Sequence, residues 1–146
     1  MKKIIVFTFI LFILAGCTKR QNITKYDYKY TGENELWIGE YRLVGESYIV
    51  QLDDGTLAYE GEGNRILEVT YKGDLSNLAE IKELEISYKA MNNEESMKIR
   101  FKSSPNKKNY VLSSIESGFI VDEYEIIEVV ITIDGVKQII ELKQYK

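Results

Sequence analysis

The feature that most constrains this chain is alternation. From Ile23 onward, apolar side chains recur at every second position in one segment after another. That is the period of a half-buried β-strand, and an amphipathic helix cannot use it. Tyr26, Tyr28 and Tyr30 share one face against Asp27 and Lys29. Trp37, Tyr41 and Leu43 share the next, with Gly39 between them, and Tyr48, Val50 and Leu52 follow. Asp53-Asp54-Gly55-Thr56 reads as a hairpin turn into a short run at 57–59. Leu67, Val69 and Tyr71 alternate with Glu68 and Thr70 up to Gly73, and Leu84, Ile86 and Tyr88 alternate with Glu85 and Ser87. Met97, Ile99 and Phe101 form the partner strand, with Asn92-Asn93-Glu94-Glu95 as the connecting loop.

After a loop at 103–109 that holds the only proline, Pro105, a weaker strand runs over 110–115. A clear hairpin closes the chain: 126–133, the turn Asp134-Gly135, then 136–142, with Ile127, Val129, Ile131 and Ile133 inward. Only 74–82 departs from period two, where Leu75, Leu78 and Ile81 at spacing three fit a single helical turn. The pattern predicts an all-β fold, an antiparallel β-sandwich (Ig-like or related), with a small antiparallel β-barrel as the alternative.

The amino terminus is a different kind of sequence. Met1-Lys2-Lys3 precedes an apolar run at 4–15 broken only by Thr8, and Gly16-Cys17 ends it. A basic start, about a dozen apolar residues and a small-residue exit are the parts of a secretory signal. The run is shorter than the roughly 20 residues needed to cross a hydrocarbon core. Leu14-Ala15-Gly16-Cys17 resembles the lipobox of bacterial lipoproteins. The resemblance implies cleavage between Gly16 and Cys17 and a diacylglyceryl group on the Cys17 thiol. Two acyl chains hold a protein on a membrane far more firmly than one, at about 0.8 kcal/mol per buried CH₂. The expected organisation is a signal peptide at 1–16, a short tether at 17–22 and one β-domain at 23–146.

Residue types then exclude chemistry. The chain has no histidine, which removes the commonest general base and zinc ligand. Its one cysteine, Cys17, is committed to lipid, so no disulfide, thiolate chemistry or cysteine metal site is expected, and no cofactor beyond the covalent lipid. The 19 basic and 23 acidic residues become 17 against 23, a net of about −6, once Lys2 and Lys3 leave with the signal. An acidic domain of this kind is a poor partner for nucleic acid.

Three surface features bear on binding. The aromatic stripe Tyr26, Tyr28, Tyr30 and Trp37 is either core or a stacking platform for wall sugars. The basic run Lys98, Arg100, Lys102, Lys107 and Lys108 either meets anionic lipid or wall polymer, or pairs with acids on the neighbouring strand. Pairing Leu84 with Phe101 would set Glu83 against Lys102 and Glu85 against Arg100, leaving Lys107 and Lys108 at an exposed loop tip. Asp53-Asp54-Gly55 and Asp122-Glu123-Tyr124-Glu125 are acidic enough to suggest calcium, but neither has calcium-loop spacing, so a tight turn and a solvated loop are expected.

Two stretches carry a further resemblance. Tyr28-Lys29-Tyr30-Thr31-Gly32-Glu33-Asn34-Glu35-Leu36-Trp37 and the closing hairpin around Asp134-Gly135 resemble small uncharacterised lipoproteins of Gram-positive bacteria, with Ile133 standing where those have an aromatic. The resemblance implies a β-domain on a lipid anchor. The functional expectation is a non-catalytic binding or interaction module on the extracytoplasmic face of the cell membrane, meeting an envelope protein or wall polymer. A carboxylate-dependent enzyme acting on envelope polymers and a structural or stress-related envelope protein are the alternatives, and the sequence leaves the oligomeric state open.

Overall fold

The computed structural model describes residues 20–90, 93–117 and 126–145. The chain is all-β and antiparallel, as the alternation requires. Its strands are β1 (Arg20–Glu33), β2 (Trp37–Gln51), β3 (Leu57–Tyr71), β4 (Glu83–Ala90), β5 (Asn93–Arg100), β6 (Asn109–Ser117), β7 (Ile126–Ile133) and β8 (Val136–Gln144). Of the two arrangements the sequence leaves open, they take the barrel-like one. A single eight-stranded sheet in the order β5-β4-β7-β8-β1-β2-β3-β6 curls until its two edge strands, β5 and β6, meet through side chains.

Local chemistry sets each corner. Asn34 builds the β1–β2 turn: its Oδ1 accepts from the backbone N–H groups of Leu36 at 2.9 Å and Trp37 at 2.8 Å, and its Nδ2 donates to the Ile139 carbonyl at 3.2 Å. Trp37 is thereby delivered to the core at the first residue of β2. At the β7–β8 turn Asp134 and Gly135 both have positive φ, 46° and 88°, the geometry that a two-residue hairpin needs. The Asp134 carboxylate also accepts from the N–H groups of Lys82 and Glu83, which fixes the start of β4 beside this turn. The segment after Gly73 forms a 3-10 turn, Leu75–Leu78, which buries Leu78.

The inward set follows from period two. Trp37, Tyr41, Leu43, Leu67, Val69, Leu84, Ile86, Ile127, Val129, Ile131 and Leu142 are all fully buried, and each apolar side chain so placed contributes about 1.5–3 kcal/mol. Outward positions carry ion pairs: Arg42 with Asp27 at 2.6 Å, Lys29 with Glu40 at 2.8 Å, and Lys98 with Glu83 and Glu85 at 2.9 and 3.2 Å. An apolar interior and a charged exterior are the reverse of a membrane-spanning barrel. Among the described residues no helix is long and apolar enough to cross a membrane.

Several expectations are corrected by the strands themselves. The runs at 37–43 and 48–52 are one continuous strand, β2, and those at 57–59 and 67–71 are one strand, β3. Within β2 the buried parity switches. Trp37, Tyr41 and Leu43 face the core, whereas Tyr48 and Val50 are buried on the opposite face of the ribbon and Leu52 lies exposed in the turn. The tether does not reach residue 22, because Arg20 and Gln21 already pair with Val50 and Ile49. The loop expected at 92–95 is shorter, since Asn93, Glu94 and Glu95 belong to β5 and pair with Ala90, Lys89 and Tyr88. With the shorter loop the β4–β5 register moves by two, so Leu84 faces Ile99 rather than Phe101, and Glu83 faces Arg100 rather than Lys102. Cys17 and the acidic run at 122–125 lie outside the described residues.

Candidate functional site: a polar layer inside the barrel

The two ends of the barrel differ in chemistry. One end, where β2, β4 and β6 begin, is aromatic and sealed: Trp37 packs edge-on to Tyr71 with ring centroids 5.1 Å apart and lies 6.4 Å from Tyr110. Leu78 of the 3-10 turn and the buried Pro105 lie at this end. At the other end, where β1 begins, the interior turns polar. Continuing the inward parity of β3 back from Leu67 brings in Arg65, which is 1% exposed and the one buried charged residue among those described. Across the β3–β6 ladder it faces Ser114, and across the β4–β5 ladder Tyr88 faces Glu95.

These side chains close the seam between the two edge strands. The Ser114 hydroxyl donates to the Glu95 carboxylate, joining β6 to β5, and the buried Tyr88 phenol stands within hydrogen-bonding reach of both. Burial, and next the negative charge of Glu95, hold the Tyr88 phenol far above its ordinary value; the Arg65 charge works in the opposite sense. Tyr41 completes the layer, edge-on to Tyr88 at 5.2 Å and to Tyr30 at 6.0 Å. A buried guanidinium is expensive to desolvate and is retained only with compensating partners, so this layer is a network rather than a single residue.

Above the polar layer the β1–β2–β3 wall continues beyond the rest of the barrel as a three-stranded flap. Gly45 pairs with Gly63 where the flap leaves the rim. A Cβ on Gly45 would lie 2.2 Å from the Glu62 carbonyl oxygen and 2.5 Å from the Tyr26 hydroxyl. Glycine is required here because the Tyr26 hydroxyl crosses this point to donate to that same carbonyl at 3.1 Å. The flap ends in the turn at Gly55, φ 85°, where the Asp54 carboxylate accepts from the Thr56 N–H at 2.8 Å, a bond that holds the Asp54 carboxyl below its usual range.

The residues singled out from the sequence separate accordingly. Tyr26, Tyr30 and Trp37 lie in the core, and only Tyr28, stacked on Tyr26 at 5.9 Å, is half-buried, so the stripe lines the barrel instead of offering a platform for sugars. Lys98 and Arg100 pair with Glu83 and Glu85. Lys107 lies 5.3 Å over the Tyr110 ring, and its carbonyl accepts from the Tyr110 hydroxyl. Lys107 and Lys108 thus stand at the sealed end, away from the start of β1. Asp53-Asp54-Gly55 is a hairpin turn, and among the described residues no three of His, Cys, Asp and Glu gather as a metal ion would require.

Arg65, Glu95 and Ser114 were not among the sequence candidates. Arg65 and Ser114 carry a readable signal, the parity of Leu67 and of Tyr110–Leu112 extended by one step. Glu95 carries none, because the polar run Asn92-Asn93-Glu94-Glu95 reads as a loop.

Comparison with known proteins bears on the amino-terminal segment. Residues 1–18 match the prokaryotic membrane lipoprotein lipid attachment site. No curated protein and no solved structure matches the chain. The attachment site contains the single cysteine of the sequence, Cys17, the one thiol available to carry lipid. The chain is a bacterial membrane lipoprotein, held to the membrane by lipid and carrying an eight-stranded antiparallel β-domain.

Proposed function

We propose that this lipoprotein is a non-catalytic binding module on the extracytoplasmic face of the cell membrane. The observation that carries the reading is the polar layer of Arg65, Tyr88, Glu95 and Ser114 inside an otherwise apolar barrel, at the end where β1 begins. Eight-stranded barrels have an interior just wide enough to be filled by side chains or to hold one small ligand. The half-buried Glu95 and Ser114, set beside the buried Arg65 and Tyr88, present a fixed carboxylate and hydroxyl to a polar partner at the barrel mouth. Replacing such a network by apolar side chains is often neutral or stabilising, so stability alone is a weak reason for keeping it.

Photo-crosslinking in intact cells from positions around this mouth, set against positions around Trp37, tests the reading. A reproducible envelope protein or wall-polymer adduct from the mouth alone is the expected result. Adducts that are the same from both ends, or only background proteins in repeated experiments, would overturn it. Turnover of an envelope polymer by purified protein, abolished by Glu95→Gln, would replace it with the enzyme reading.

A further inference from the structure

The lipid anchor and the flap lie at the same end of the molecule, and this has a geometric consequence. Cys17 and Arg20 are separated by three peptide units, which span at most about 11 Å in any conformation. Arg20 is itself fixed to the flap. Its guanidinium donates to Glu46 and Glu62, both at 3.1 Å, and lies 4.1 Å over the Tyr48 ring. Arg20 pairs with Val50, and the turn at 52–56 begins two residues further on, about 7 Å along the strand.

The flap end also exposes large apolar side chains. Leu52, Leu57 and Tyr59 are 45%, 59% and 67% exposed, and Ile23, on the neighbouring β1, is 52% exposed. A water-facing hairpin gains nothing from these side chains, whereas leucine and tyrosine at a membrane–water interface bury apolar surface while the phenol stays wet.

We infer that the barrel stands on the membrane with its flap end down, and that Leu52, Leu57 and Tyr59 contact the phospholipid interface beside the acylated Cys17. The partner is the bilayer surface, and the contact continues the one that the anchor already makes. Asp53 and Asp54 at the turn limit its depth: the tip rests at the headgroup level, and its charge disfavours strongly anionic lipid. The sealed end, with Lys107 and Lys108, faces away. The inference rests on lipid anchoring and goes beyond it by assigning a face and an orientation.

The test uses the full lipidated protein in vesicles of zwitterionic phosphatidylcholine. Because Cys17 is acylated, one introduced cysteine is the sole free thiol and takes an environment-sensitive fluorophore. Leu57→Cys is compared with Val136→Cys, a position of similar exposure, 65%, at the opposite end. Blue-shifted emission and quenching by shallow spin-labelled lipid at Leu57, with neither at Val136, are expected. Protein that floats with the vesicles yet shows no quenching at Leu57, or equal quenching at both sites, overturns the orientation. Protein that fails to float overturns the anchor instead. A Leu57→Asp/Tyr59→Asp variant labelled at Ile23→Cys should lose the blue shift while floating normally. Retention of the shift would assign the contact to something other than the tip.

Discussion

The two ends of one barrel are built on opposite principles. At the sealed end, Trp37, Tyr71, Tyr110 and Leu78 fill the interior with apolar area, and the turns at Asn34 and Asp134 close the backbone with short hydrogen bonds. At the flap end, the same ladders carry Arg65, Glu95 and Ser114 inward and then thin to the Gly45–Gly63 pair. Apolar burial dominates the first, where the buried Trp37 Nε1–H finds no acceptor among the described residues; the second spends desolvation free energy on a network of charged and hydroxyl groups. Apolar burial is thus concentrated at one end of the barrel, and polar side chains at the other.

Trp37→Ala should break the comparison most forcefully. Removing a fully buried indole costs about 3–5 kcal/mol, a large part of the usual stability of a domain, so the thermal midpoint should fall steeply and as a single transition. A melt that hardly moved would mean that the sealed end does not anchor the fold.

The polar layer should instead reveal coupling. Arg65→Met and Glu95→Gln each destabilise, and the double variant should depart from additivity by about 0.5–3 kcal/mol in denaturant melts, because both side chains act on Tyr88 within one layer. Additive losses would make the layer a set of independent contacts. Ser114→Ala removes a hydrogen bond to a charged acceptor, about 1.5–3 kcal/mol. Its signature should be local, with faster amide exchange along the free edges of β5 and β6 and little change near Trp37.

Titration separates interior from exterior. The folded state holds the Tyr88 phenol well above its ordinary value, chiefly by burial. That contribution is therefore complete below about pH 10 and is lost as pH rises above it. Tyr88→Phe should flatten the alkaline fall in the thermal midpoint. On the outer wall the Arg42 hydrogen bond holds the Asp27 carboxyl below the usual range, so its contribution is present above about pH 4 and is lost as pH falls through the folded value. Asp27→Asn should reduce the acid-limb slope slightly, the smallest effect of the series, because both partners are solvent-exposed.

Much of the wall was legible in the sequence because period two needs no partner to be seen. The inward sets of β4, β7 and the first half of β2, the turn at Asp134-Gly135 and the single helical turn at 75–78 follow from local pattern. The site was not, and the reason is specific. Treating 92–95 as a loop put the β4–β5 register off by two residues and left Glu95 outside the barrel, although it lies opposite Tyr88. Polar residues near a turn read as loop unless the partner strand is known, because only cross-strand pairing tells which face they take. Arg65 keeps the inward parity of Leu67, but arginine as a residue type favours the exterior, and only closure of the barrel buries it.

By itself the sequence determined the class of fold, the lipid attachment site at the amino terminus, and the lack of histidine and of any thiol beyond Cys17. These depend on residue type, local period and a short contiguous motif. Only the tertiary structure decided that the strands form one curled sheet, that Arg65, Tyr88, Glu95 and Ser114 share a layer, and that the start of β1 is fixed to the flap. Each of those joins positions distant in the chain, Arg20 with Glu62 or Glu95 with Ser114, and such pairings are set by register and closure, which no local pattern carries.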